Sequence, residues 1–367
     1  MRVLVTGHKG YIGSVLVPML LEAGHEVVGL DSDFYEKCTF GEPARDIPNI
    51  RKDIRDVGQS DLQRFDAIIH LAGLSNDPLG DLNPRVTYEI NWVSTVRLAR
   101  LAKEIGISRF IFSSSCSNYG AAGVDMLNEE AEFRPVTPYG RSKVLAEKDL
   151  VNLADSKFSP TILRNATAYG ISPRLRFDLV LNNLVAWAYT TGLVYLKSDG
   201  TPWRPIVHVE DISRAFMAVL HAPREKIHNQ AFNVGRTEEN YQIRELAEIV
   251  KETVPGSHIQ YSEGAGPDKR CYRVDCSKLS RMLPDYKPRW SARAGAKQLY
   301  EAYKKTGVRN EEFEGPTYRR IDHLKQLMEK GSLSSDLYWN NKEIVQKNAS
   351  DSAEGNAGRN KTKLSRL

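Results

Sequence analysis

Tyr139 and Lys143, four residues apart, carry the strongest chemical suggestion in the chain. Pro138 precedes them, a residue suited to the first turn of a helix, and the spacing puts both side chains on one helix face. An ammonium beside a phenol favours phenolate and lowers its pKa, so the pair is expected to carry protons. Taken alone, Tyr-x-x-x-Lys is an ordinary surface pair; the residues before it give it weight. Phe110-Ile-Phe112 is a short apolar run that ends in Ser113, Ser114 and Ser115. Such a run suits a buried parallel strand, and polar residues at its carboxyl end lie where open α/β sheets bind ligands.

The elements that must hold these groups begin at the first residues. Residues 2–6 read as a strand, followed by Gly7, Gly10 and Gly13, a helical stretch to Ala23 that contains Pro18, and a second strand from Glu26 that ends on Asp31. Gly7 permits a tight turn, Gly10 lets the backbone approach a pyrophosphate, and Gly13 lets helix and strand pack closely. The helix N-terminus then offers unpaired N–H groups to phosphates. Asp31 is placed to accept hydrogen bonds from a ribose diol and to repel a 2′-phosphate, which favours NAD over NADP. Lys9, in the glycine loop, is the residue that would attract such a phosphate. Residues 66–73 read as another buried strand, 84–105 as an amphipathic helix and 109–112 as the next strand. This alternation calls for an α/β, doubly wound parallel sheet.

Composition adds exclusions. The 367 residues are 41% hydrophobic and 26% charged with a net charge of +5, ordinary for a globular chain. Lys and Arg form no block that would mark nucleic acid or an anionic membrane as a partner, and no apolar run approaches a membrane span. The first strand leaves no room for a signal peptide, so a cytoplasmic location is expected. Cys38, Cys116, Cys271 and Cys276 show neither metal-ligand nor disulfide spacing. No metal is expected.

In order, the chain carries Thr6-Gly-x-x-Gly-x-x-Gly13, Asp31, Asp53-Ile54, His70-Leu-Ala-Gly73, Asn91, Ser113-Ser-Ser115, Tyr119-Gly120, Tyr139-x-x-x-Lys143 and Leu163-Arg-Asn165. Together these resemble the extended short-chain dehydrogenase/reductase superfamily, in its NAD-dependent nucleotide-sugar epimerase/dehydratase branch. The resemblance runs from residue 1 to about residue 285. It implies a Rossmann-type sheet over 1–170, rejoined by 205–235, with a smaller interleaved lobe in 171–335 for the substrate. Catalysis falls to Ser115, Tyr139 and Lys143. NAD is assigned to Gly7, Lys9, Gly10, Tyr11, Ile12, Gly13, Asp31, Asp53 and Ile54. It is assigned further to Leu71, Ala72, Gly73, Asn91, Ser113, Tyr139 and Lys143. A nucleotide-diphosphate sugar is assigned to Ser115, Ser117, Asn165, Arg204 and Arg270. The helices at 84–105 and 139–157 are those that pair in family homodimers.

Two positions depart from the family pattern. Ala265-Gly-Pro-Asp268 stands where an Arg-Pro-Gly-Asp is common, so Arg270 or Arg273 is expected to take over the phosphate contact. Asn118 replaces an apolar residue and is expected in the pocket wall. Beyond Pro288 the sequence leaves the family core: Ser291–Thr306 and Tyr318–Lys330 read as an amphipathic helical appendage, packed by Phe313 and Tyr318. Residues 340–367 are too poor in apolar side chains to order themselves.

The implied reaction is epimerisation at C4 of a nucleotide sugar through a transient 4-keto sugar. A 4-ketoreductase or dehydrogenase with exchangeable cofactor would use the same residues once, and a dinucleotide sensor would need none of them. A 4,6-dehydratase needs an extra carboxylic acid after the catalytic serine, where this chain has Cys116 and Ser117. Water loss would point instead to Glu129 or Glu130. Strand alternation from Ser115 turns Cys116 toward the core.

Overall fold

A computed structural model of the protein describes residues 1–266 and 270–340; the expected disordered tail lies, from residue 341 on, outside the described residues. Seven parallel strands form the main sheet. They are β1 (Arg2–Thr6), β2 (Glu26–Asp31), β3 (Asn49–Arg51), β4 (Ala67–His70), β5 (Arg109–Ser115), β6 (Ser159–Asn165) and β7 (Ala231–Val234). Their spatial order is β7-β6-β5-β4-β1-β2-β3. Chain direction from the middle reverses between β1 and β4, which is the switch point where open α/β sheets receive ligands.

The strands are apolar runs because both faces are covered. Val3, Val5, Ile69 and Ile111 pack under helices Gly13–Glu22 and Val209–His221, through Leu16, Leu20, Phe216 and Val219. Leu4, Ile68, Phe110 and Phe112 face the other way, toward helices Ser94–Glu104 and Pro138–Leu153. This is the two-residue alternation of a strand applied to a three-layer fold.

Three sequence expectations need correction. The helix expected over 84–105 is interrupted: Pro84–Tyr88 and Ser94–Glu104 flank a widened turn at Glu89–Val93 with π-helical bonding, and the Ser94 hydroxyl donates to the Glu89 carbonyl at 2.8 Å. Such turns redirect single side chains, here Asn91. The Rossmann-type sheet expected over 1–170 ends short of Gly170, because the chain leaves the main sheet at Ala166. Thr167–Tyr169 joins Trp203–His208 and Asn240–Gln242 in a separate three-stranded sheet. The return of 205–235 to the main sheet is therefore partial. Helix Val209–His221 and β7 return, whereas Trp203–His208 pairs in the smaller sheet.

The C-terminal helix Ala292–Thr306 packs on Phe177 through Tyr303 at 5.2 Å, Phe313 and Tyr318 meet the same ring at 5.6 and 4.9 Å, and the helix Arg320–Glu329 packs elsewhere, through Leu324. They are no mere appendage, since Leu324, Leu333 and Leu337 are buried in the core under β2. Among the described residues no helix is long and apolar enough to cross a membrane.

Candidate active site

A cavity of about 830 Å³ runs along the carboxyl ends of the central strands. Every residue that the sequence assigned to cofactor or substrate lines it, apart from Asn91. Asn91 is fully buried: its amide accepts from the Leu74 N–H at 2.8 Å and donates to the Leu74 carbonyl at 2.9 Å and the Ser142 hydroxyl at 3.2 Å. It braces the loop after β4 against the Tyr139 helix rather than facing a ligand, and the widened turn is what lets it reach.

At one end lies the glycine turn. Gly7 has φ +72°, and a Cβ there would sit 2.7 Å from the Ala72 nitrogen; one on Gly13 would sit 2.5 Å from the Gly7 and His8 carbonyl oxygens. Both positions exclude side chains for reasons of space. Among the described residues, the amides of Tyr11 and Ile12 find no acceptor within the protein. A tight turn with open N–H groups at a helix N-terminus fits the diphosphate of a dinucleotide. Asp31 accepts from the backbone N–H of Lys9 at 3.0 Å and of Asp33 at 2.8 Å, which fixes its carboxylate at the end of β2. The Lys9 ammonium is paired with Asp33 at 2.7 Å, so its charge is engaged away from any 2′-phosphate. Asp53 also lines the cavity, with its two oxygens held by Arg55 at 2.9 and 2.8 Å.

At the other end stand Ser115, Tyr139 and Lys143. Thr137 caps the helix that carries Tyr139 and Lys143, its hydroxyl accepting from the Gly140 N–H at 3.2 Å and donating to Asp77 at 2.7 Å. The Lys143 ammonium is buried; it donates to the Ser113 carbonyl at 2.8 Å and lies 4.6 Å from the Phe112 ring centre. Burial lowers its pKa to about 8, against the opposing pull of Glu147. Tyr139 departs from expectation. Burial raises its phenol to about 12, with the Ser115 hydroxyl and Arg176 pulling down and Asp77 pushing up. The ammonium does not lower it because Lys143 is aimed at the Ser113 carbonyl and carries a depressed pKa of its own. The protein alone holds Tyr139 protonated.

Behind Ser115, strand alternation buries Ser114 against Glu147, and Cys116 is fully buried with its thiol on the Arg164 carbonyl at 3.1 Å. Asn118, expected in the pocket wall, is likewise buried and donates to Glu147 at 2.7 Å. It anchors the turn instead. Glu129 accepts from the Asn233 N–H at 2.8 Å, and neither it nor Cys116 lines the cavity.

On the substrate side, Asn165 donates to the Ser113 hydroxyl at 3.0 Å. Arg204 donates to the carbonyls of Trp203, at 2.8 Å, and Arg270. Arg270 pairs with Asp77 at 2.5 Å. Arg273 stacks on Trp203 at 4.6 Å away from the cavity, so Arg270 is the arginine present where the family's Arg-Pro-Gly-Asp is missing.

A sequence model of the NAD dependent epimerase/dehydratase family matches residues 3–235. The chain belongs to this family. It is thereby an NAD-dependent enzyme of the epimerase/dehydratase type. UDP-glucose 4-epimerase 4 of Oryza sativa subsp. japonica is 33% identical over 264 residues, covering 64% of this chain and 71% of the relative. UDP-glucuronic acid decarboxylase 1 of Arabidopsis thaliana is 27% identical over 325 residues, covering 86% and 72%. The structure of UDP-glucuronic acid 4-epimerase from Bacillus cereus, with UDP-glucuronic acid and NAD, is 26% identical with a TM-score of 0.70, covering 83% of this chain and 99% of that one. Relatives of this epimerase/dehydratase thus differ in reaction and in sugar.

Several lining residues of this family member escaped the sequence reading. Asp77 enters from the first turn of the short helix Asp77–Leu82; Arg176 and Asp178 form a two-bond pair at 3.1 and 2.6 Å; Arg320 arrives from the C-terminal helix. The arginine-bearing stretch at 174–176 was the available signal for Arg176. Nothing local marks Asp77 or Arg320.

Proposed function

We propose that the enzyme is a nucleotide-sugar C4 epimerase. The observation that carries this reading is that Ser115, Tyr139 and Lys143 share one cavity with the glycine turn, while the carboxylates nearest Tyr139 are engaged. Asp77 is held by Thr137 and Arg270, and Asp178 by Arg176 and Asn76. A paired carboxylate is ill suited to protonate a departing hydroxyl, so the arrangement favours chemistry at one hydroxyl-bearing carbon over dehydration. Bound NAD would supply the hydride acceptor and, when oxidised, a cationic ring that favours phenolate.

Ser115 would hydrogen-bond the reacting hydroxyl and align it. Tyr139 would take its proton and return it after the sugar has turned over. Lys143 would hold the nicotinamide ribose, with its ammonium positioned by the Ser113 carbonyl. Arg204 and Arg270 border the end where the sugar nucleotide's diphosphate would lie, and a guanidinium suits that group. The four free cysteines suit a reducing compartment, and the cytoplasm is the location this reading assigns. Exposed Val93, at the end of the widened turn, and exposed Val151, on the helix at 138–153, support a homodimer through these elements.

The test is mass spectrometry and NMR of products from a panel of nucleotide sugars, with no external cofactor. Unchanged mass with inversion at C4 is expected. Loss of water or carbon dioxide, or dependence on added NADH, would replace the reading with dehydration, decarboxylation or ketoreduction.

A further inference from the structure

The residues after Arg319 lie outside the 3–235 span of the family match, yet they return to the first strands of the chain. His323 lies 3.0 Å from the Phe34 carbonyl, the Trp339 indole donates to the Ser32 carbonyl at 2.6 Å, and Arg55 donates to the carbonyls of Asp336 and Leu337 at 2.8 and 3.1 Å. The Arg55 guanidinium also lies 3.6 Å from the Tyr338 ring centre. These contacts flank Asp31 and Asp53, so residues 320–340 form a strap over the adenosine side of the cavity.

Arg320 opens this strap. Its guanidinium lies 4.3 Å from the Tyr35 ring centre and lines the cavity together with the glycine turn. Among the described residues it makes no hydrogen bond or ion pair. Asp178 acts on it at longer range, but that carboxylate is already bound at both oxygens by Arg176. Burial and the like charge of Arg176 both depress the Arg320 pKa. A half-buried cation facing another cation is costly unless an anion completes the group. Across the cavity, the amides of Tyr11 and Ile12 at the N-terminus of the helix Gly13–Glu22 lack an acceptor as well. The charge of Arg320 also reaches the Tyr11 phenol, so the two walls call for negative charge in the same part of the cavity.

We propose that Arg320 binds the diphosphate of NAD, delivered to the glycine turn by the C-terminal strap. The strap then acts as a clasp: its apolar residues anchor it on the β2 side, and its charged tip holds the cofactor. The substrate also carries a diphosphate, but Tyr35 places Arg320 beside the strand that ends on Asp31, whereas Arg204 and Arg270 stand at the substrate end.

The test uses full-length protein freed of bound nucleotide and titrated calorimetrically with NAD, ADP, adenosine and UDP, with no sugar present. Its outcome is therefore independent of which sugar reaction the enzyme performs. Arg320→Gln should weaken NAD and ADP about tenfold to a hundredfold while changing adenosine less than about twofold, and Arg320→Lys should recover part of the loss. An unchanged melting temperature of the free variant checks that the strap still docks. Equal loss for ADP and adenosine would assign Arg320 to packing, loss for UDP alone would assign it to the substrate, and unchanged binding of all four would give it no ligand. Each of these results overturns the proposal.

Discussion

Replacing Glu147 by Gln probes the framework behind the reacting serine. The Glu147 and Arg164 side chains are 3% and 7% exposed, and the pair is joined at 3.0 and 2.8 Å. Glu147 also accepts from Asn118 at 2.7 Å and from Ser114, and Arg164 reaches the Tyr119 hydroxyl at 3.0 Å and the Glu129 carbonyl at 2.8 Å. Burial opposes the arginine's charge, and the Glu147 carboxylate together with the Tyr119 hydroxyl more than offsets it, raising its pKa. Neutralising Glu147 leaves that charge buried without its counterion, which costs about 3–5 kcal/mol in comparable settings. Net stabilities of roughly 5–15 kcal/mol make this a large fraction. Urea unfolding should show a lower midpoint with an unchanged slope. Arg164→Met should lose a similar amount, whereas Glu147→Leu with Arg164→Met should lose far less than the sum, because the desolvation of both charges is relieved together. A Glu147→Gln loss below about 1 kcal/mol, the range of exposed pairs, would refute the reasoning.

Tyr139→Phe should keep NAD binding near native and cut turnover by roughly two to four decades, measured under saturating substrate; near-native turnover would remove Tyr139 from the mechanism. Asp31→Ala should narrow the preference for NAD over NADP in binding titrations, and equal affinities in the unaltered protein would contradict the role given to Asp31. The buried Lys143 ammonium titrates near 8 instead of 10.5, so the unfolded chain binds more protons between those values and stability rises with pH across that window. Lys143→Met should lack that part of the rise, up to about 3 kcal/mol, when unfolding is compared from pH 7.5 to 10.5; parallel pH profiles would argue against a buried ammonium. Gly120→Ala should unfold the turn after Ser115 or fail to express in folded form, since a Cβ there would meet the Arg134 carbonyl oxygen at 1.8 Å from a backbone with φ +60°; a native melting temperature would count against it.

What the sequence disclosed tracks how local the determinants are. Gly7, Gly10 and Gly13, Asp31, and Tyr139 with Lys143 lie within short motifs, each read from spacing along one or two elements. Asn91 is assigned to the cofactor by the family resemblance alone; only the widened turn, which spacing does not disclose, shows that its amide is used up by Leu74 and Ser142. The pKa of Tyr139 was misjudged because neighbour charge is legible from spacing, whereas burial depends on the whole cavity wall. Trp203–His208 has a strand's composition, but which sheet it joins depends on the bend at Ala166. Arg320 was beyond reach, since nothing near it in sequence says that its helix folds back over Tyr35.

That fold-back has a consequence for biosynthesis. The Arg55 contacts with Asp336 and Leu337 bridge 281 and 282 residues, and the Trp339 contact with Ser32 bridges 307. At typical elongation rates the ribosome needs about 15 to 60 s to travel from residue 32 to residue 339. Throughout that interval the nascent chain presents Phe34 and Ile54 without Leu324, Leu333 and Leu337 to cover them. An apolar flank of this kind invites chaperone capture or aggregation, and contacts at such separation form slowly. The nucleotide cradle is thus built from residues made at the start of that interval and closed by residues made at its end.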